Sequence, residues 1–117
     1  IYIASKDFSV QQLSELQPLV EVVSMTKSLV NEPLNYLVAL KFSELGTEAG
    51  NKYGFETEIL HKEKIQELKM GGLLSVNLGS DTPPTFNVFH YKPANAINKK
   101  PLVLVGKGVM FDTGGYS

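Results

Sequence analysis

Residues 101–108 read PLVLVGKG, and this stretch decides the expected fold. Its centre, residues 102–105, is continuously apolar, a pattern typical of a β-strand that is buried on both faces. A buried strand of this kind needs neighbouring strands at its edges and helices on both faces of its sheet. The stretch therefore predicts a layered fold with a covered sheet.

Helical and extended patterns alternate along the rest of the chain. The predicted elements are helices over 9–30, 37–49 and 61–69, strands over 55–60 and 85–93, and one or two helical turns within the loop-like residues 70–84. Ser9 is the expected N-cap of the first helix and Pro18 its weak point. The polar connection before Pro101 favours antiparallel pairing of the last two strands. The alternation indicates an α/β architecture, and three strands are too few to cover a buried one, so we expect an incomplete fold.

Composition excludes several classes of site. The chain has 117 residues, which indicates one domain at most. Its net charge of −1 provides no excess of positive charge to attract nucleic acid or acidic lipid. All 11 basic residues are lysines, so the chain has no arginine for bidentate recognition of a phosphate or carboxylate. The absence of cysteine excludes disulfides, a thiolate zinc cluster and a cysteine nucleophile.

The N-terminal residues do not resemble a targeting signal. IYIASKDFSV lacks a basic region followed by an apolar stretch, and no part of the chain is apolar over the length of a membrane span. Because the sequence does not begin with methionine, we expect that it was processed or cut from something longer.

Neither common nucleotide motif is present around the Gly-Lys pair of residues 106 and 107. A phosphate loop requires glycine where Pro101 stands and serine or threonine where Gly108 stands. A dinucleotide fingerprint requires glycine where Phe111 stands. A small phosphate-binding domain is thereby disfavoured.

The histidines and serines also lack catalytic spacing. His61 and His90 belong to no His-x-x-x-His or His-Glu-x-x-His pattern, and we interpret both as surface or hydrogen-bonded side chains. Ser75, Ser80 and Ser117 lack the Gly-x-Ser-x-Gly setting of a serine nucleophile.

Lys107 and Asp112 are the strongest candidate functional residues. Lys107 lies at the carboxyl end of the predicted buried strand, where ligands gather in open α/β sheets. Asp112 follows five residues later, and four glycines around the pair permit tight turns and close approach of another group. The alternative is that Lys107 extends into solvent and Asp112 caps a turn.

Three stretches resemble one enzyme family. PLVLVGKGVMFDTGGYS (101–117) is similar to the metal-binding segment of the M17 leucine aminopeptidases, or cytosol aminopeptidases, with the pattern V-G-K-G-x-x-F-D-(S/T)-G-G-x-S. KSLVNEPLN (27–35) resembles the junction that leads into the catalytic domain, and ELKMGGLLSVNLGSDTPPTFNVFHYKP (67–93) resembles a further stretch of that domain. The three matches lie in the family's order.

The sequence departs from the family pattern at a few positions. Val38 and Ala39 stand where relatives usually have a Ser/Thr-Pro helix start, so we expect that helix to begin differently. Lys27 replaces the usual arginine, and Met110 replaces a more common threonine. None of these changes touches the metal-binding positions.

The resemblance implies a site with two divalent metal ions, Zn²⁺ or Mn²⁺. Lys107 would coordinate one metal and Asp112 both, because a carboxylate can bridge metals roughly 3.5–4 Å apart. A lysine ligand must be the neutral amine, which burial and an adjacent dication both favour. The family's other functional residues are expected beyond Ser117: a catalytic lysine two positions on, a further aspartate, and an N-T-D-A-E-G-R segment. With two ligands only, we expect the 117-residue chain to be inactive.

For the whole protein, the resemblance implies a hydrolase that removes N-terminal residues, often leucine, from peptides. The family implies a cytoplasmic homohexamer. The net charge of −1 predicts no nucleic-acid partner, and the absence of a long apolar stretch predicts no membrane partner. Residues 1–30 would be the end of an N-terminal domain and an inter-domain helix, and residues 31–117 the truncated first part of a mixed-sheet metallopeptidase catalytic domain. The alternative is a non-catalytic interaction or DNA-binding module derived from the family, although the absence of arginine speaks against DNA.

Overall fold

The computed structural model describes residues 9–111, and the chain divides into two compact units between Pro33 and Leu34. The first unit contains helix α1 (Val10–Asn31). The second unit contains α2 (Ala39–Tyr53), β1 (Glu56–Leu60), α3 (Lys62–Glu67), α4 (Gly71–Asn77) and β2 (Phe86–His90). The mixture of helices with a small antiparallel sheet agrees with the predicted α/β class.

Helix α1 begins as predicted at Ser9. The Ser9 hydroxyl accepts a hydrogen bond from the backbone N–H of Gln12, and the Gln12 side chain accepts one from the backbone N–H of Ser9, which together form a capping box. The helix continues through Pro18 and has no buried residue. Within residues 9–111, no helix combines the length and apolar character that crossing a bilayer requires.

Helix α2 starts and ends slightly later than predicted. It begins at Ala39 after Val38, an N-cap with no side-chain hydrogen bond, as expected from the missing Ser/Thr-Pro start. It continues past residue 49 to Tyr53 because the stop signal is Gly54, whose φ of 76° is the left-handed conformation that glycine adopts readily. The N–H of Gly54 donates to the carbonyl oxygen of Gly50 and closes the helix.

Strands β1 and β2 pair antiparallel in a two-stranded sheet, with Glu56 opposite His90 and Leu60 opposite Phe86. Both strands lie within the predicted ranges. Helices α3 and α4 lie between them in the chain, and the side chain of Ile65 in α3 is completely buried.

Small residues let α2 approach this sheet closely. A Cβ atom added to Gly46 would lie 2.8 Å from Cζ of Phe89, and one added to Gly50 would lie 2.7 Å from Cγ2 of Thr57. Phe89 in turn packs edge-to-face against Phe55, with ring centroids 5.8 Å apart. The glycines thus fix the helix–sheet distance.

The predicted third strand, over residues 101–108, is absent from the described structure, and that prediction was wrong. The stretch has no regular secondary structure, and its apolar centre is exposed, with Leu104 at 87% and Val105 at 93%. A strand persists only where another strand takes up its backbone N–H and C=O groups. In the described residues, β1 and β2 pair only with each other, so the expected antiparallel partnership of residues 85–93 with this stretch is not formed.

Candidate metal site

Lys107 lies in the exposed stretch that follows Pro101. Its neighbours Gly106 and Gly108 have no heavy atom within 4 Å of the position that a Cβ would occupy. The structure therefore leaves open space beside these two glycines. Lys107 itself is exposed, so the amine is not buried as a neutral metal ligand requires.

Asp112, the second predicted ligand, lies outside the described residues. The pairing of Lys107 with Asp112 therefore stays a prediction. The same holds for Gly114, Gly115 and Ser117 of the motif.

The described residues do not by themselves fit a two-metal site. Within 9–111 there is no group of three or more histidine, aspartate or glutamate side chains placed to hold a metal ion. A protein zinc site ordinarily has three or four protein ligands, so Lys107 can supply only a fraction of the donors. We derive no catalytic step from this partial set.

The histidines lie at the surface, as interpreted from the sequence. His61 is the exposed N-cap of α3 and its side chain makes no capping hydrogen bond. Nε2 of His90 lies 4.0 Å from Oε2 of Glu58 on the neighbouring strand, too far for a hydrogen bond. Ser75 and Ser80 are also exposed.

A buried polar cluster around Ser43 was not predicted. Ser43 Oγ, on α2, lies 2.7 Å from Asn87 Oδ1, 2.9 Å from Thr85 Oγ1 and 3.0 Å from the Ala39 carbonyl oxygen. Ser43 is only 5% exposed. A hydroxyl has one proton, so it donates to one of these groups at a time and can accept from Thr85. The cluster ties α2 to the segment that carries β2.

A sequence signal for this cluster exists in retrospect. Ser43, Gly46, Thr47 and Gly50 are small residues spaced at i, i+3, i+4 and i+7, which places them on one face of a helix. A face of small residues indicates close packing, and the hydroxyl within it needs a partner on the opposing element.

Beside this face lies an open cavity of about 370 Å³, here called the α2 groove. It is lined by Leu40, Ser43, Glu44, Thr47, Glu48, Ile59 and His61. Lys41 Nζ donates to Glu44 Oε2 at 2.9 Å, and this hydrogen bond together with the charge of Glu44 raises the pKa of Lys41. The lysine therefore remains protonated at neutral pH and offsets part of the acidic charge at the groove.

Comparison with known proteins decides the family. A model described as the cytosol aminopeptidase family, catalytic domain, matches residues 24–117. The chain belongs to this family. The match contains the three motifs that suggested it, and the resemblance inferred from them is confirmed.

Cytosol aminopeptidase relatives align with most of the chain. The "Probable cytosol aminopeptidase" of Chloroherpeton thalassium is 53% identical over 94 residues, which is 80% of this chain and 18% of the relative. The protein of the same name from Chlorobaculum parvum is 53% identical over 91 residues, 78% of this chain and 18% of the relative. That from Sulfurihydrogenibium sp. is 41% identical over 99 residues, 85% of this chain and 19% of the relative.

The chain thus spans about a fifth of the length of the cytosol aminopeptidases that it matches. No solved structure matches it.

Proposed function

We propose that this chain forms the opening part of the catalytic domain of a di-metal aminopeptidase that releases N-terminal amino acids, often leucine, from peptides. The observation that carries the proposal is the family match over residues 24–117, which includes the VGKGVMFDTGG motif. On this proposal the 117 residues alone are inactive, because they lack most of the metal ligands and the catalytic residues.

The proposed domain organisation places residues 1–30 at the end of an N-terminal domain and in an inter-domain helix. Residues 31–117 would open the peptidase domain. The division of the chain between Pro33 and Leu34 supports this boundary, as does the absence of any buried residue along α1. The family match already begins within α1, at residue 24, so part of the helix is shared with the family's catalytic region.

Lys107 and Asp112 are the proposed metal ligands, for Zn²⁺ or Mn²⁺. The lysine amine would bind one ion and the aspartate carboxylate would bridge both, and other parts of the enzyme would complete and bury the site. The bound ions would polarise the peptide carbonyl and lower the pKa of a water molecule. Glycines on either side of Lys107 leave space for such groups to approach.

The further proposals concern the whole protein. The peptide is its substrate, and the protein would be a cytoplasmic homohexamer like those of its family. A non-catalytic or DNA-binding role is the alternative, and no observation on the described residues favours it. The absence of arginine and a net charge of −1 argue against a nucleic-acid partner.

A chimera tests the proposed activity. Residues 24–117 would replace the matching segment of the Chloroherpeton thalassium protein, with which they share 53% identity. We expect the chimera to release leucine from a leucyl peptide when Mn²⁺ or Zn²⁺ is supplied. Lys107→Met and Asp112→Asn should each lower kcat/KM by a factor of about 1,000, since a catalytic metal contributes several kcal/mol.

The matched control is Lys62→Met, which removes an exposed lysine outside all three motifs. It should leave kcat/KM unchanged. The proposal would be contradicted if the unmodified host protein were active and the folded chimera were inactive. Full activity in Lys107→Met would also contradict it.

A further inference from the structure

We draw no further inference here: the strongest candidate, the open α2 groove beside Ser43, belongs to a chain that spans about a fifth of the length of its relatives, and nothing in the structure shows what covers it in the whole protein.

Discussion

At the scale of single residues, two glycines control how closely α2 lies on the sheet, and the two are not equivalent. A side chain at Gly46 would meet the ring of Phe89, which is 45% exposed and can move aside. A side chain at Gly50 would meet Cγ2 of Thr57 and, at 2.8 Å, the backbone carbonyl oxygen of Phe55. Backbone cannot yield in the same way, so Gly50 is the stricter position.

Alanine substitutions should reveal this difference. Overpacking at Gly50→Ala should lower the free energy of unfolding by about 1–3 kcal/mol, partly offset by the roughly 1 kcal/mol that alanine contributes in a helix. Gly46→Ala should change the free energy of unfolding little, because the helix propensity of alanine offsets the small cost of moving the Phe89 ring. Urea denaturation followed by circular dichroism measures both. Gly72→Ala, where a Cβ meets no atom within 4 Å, is the control and should not destabilise. Equal decreases in the free energy of unfolding for Gly46→Ala and Gly50→Ala would contradict this account.

Ser43 is the other residue on which the packing of α2 depends. Ser43→Ala would remove the hydroxyl that Thr85 and Asn87 share and leave their polar atoms with fewer partners in a half-buried site. We expect a loss of about 1–3 kcal/mol in the free energy of unfolding.

Ser75→Ala is the matched control, measured in the same denaturation experiment. Ser75 is also helical and also donates to a backbone carbonyl, that of Gly72, but it is exposed. Its loss should cost less than about 0.5 kcal/mol. If the two variants unfold at the same urea concentration, the Ser43 cluster does not stabilise the fold.

At the scale of secondary-structure elements, α1 differs from α2 and α3 because none of its residues is buried. Its residues are apolar on several sides, and Leu19 and Val20 are 59% and 61% exposed. The capping box at Ser9 supports the first turn. Pro18 opposes the middle of the helix because it lacks an N–H group and its ring crowds the preceding turn.

Replacing Pro18 should therefore stabilise this helix. Alanine is roughly 3 kcal/mol more favourable than proline in a helix interior, so Pro18→Ala should increase the helical ellipticity at 222 nm and its resistance to heating. Gln17→Ala, one residue earlier, should have little effect because glutamine is already a good helix former. Unchanged ellipticity in Pro18→Ala would show that α1 is stabilised by contacts other than its own hydrogen bonds.

Local signals explain which elements could be predicted. The cap at Ser9, the alternation in residues 55–60 and the charged pattern of residues 61–69 act over a few neighbours, and each corresponds to an observed element. The end of α2 was predicted at residue 49, directly before Gly50, whereas Gly50 is a packing position within the helix. The strand over 101–108 failed because burial depends on partners distant in the chain, which local sequence does not reveal.

At the scale of the whole molecule, the family could be predicted and the site geometry could not. The VGKGVMFDTGG motif is specific enough to indicate the family, which the match over residues 24–117 then showed. A metal site is assembled from donors on separate elements, however, and its geometry depends on burial and neighbouring charges. Of the two predicted ligands, residues 9–111 contain only Lys107, which is exposed. The same residues contain no group of acidic or histidine side chains placed to hold a metal ion.

Calorimetric titration of the 117-residue chain with Mn²⁺ or Zn²⁺ tests the proposed incompleteness. We expect no binding tighter than about 100 µM, because two ligands hold a metal poorly. We also expect no metal-dependent release of leucine from a leucyl peptide. The unmodified Chloroherpeton thalassium protein serves as the positive control. Metal-dependent turnover by the purified chain would contradict the proposal that the site is incomplete.

The metal content of the chimera tests the assignment of Lys107 and Asp112 most directly. After dialysis against buffer without metal, mass spectrometry of the elements should find about two divalent ions per subunit in the unmodified chimera, as in a two-metal site. Lys107→Met should retain about one ion and Asp112→Asn fewer still, since the bridging carboxylate serves both. Lys62→Met should retain the full content. Two ions per subunit in folded Lys107→Met and Asp112→Asn chimeras would contradict the assignment.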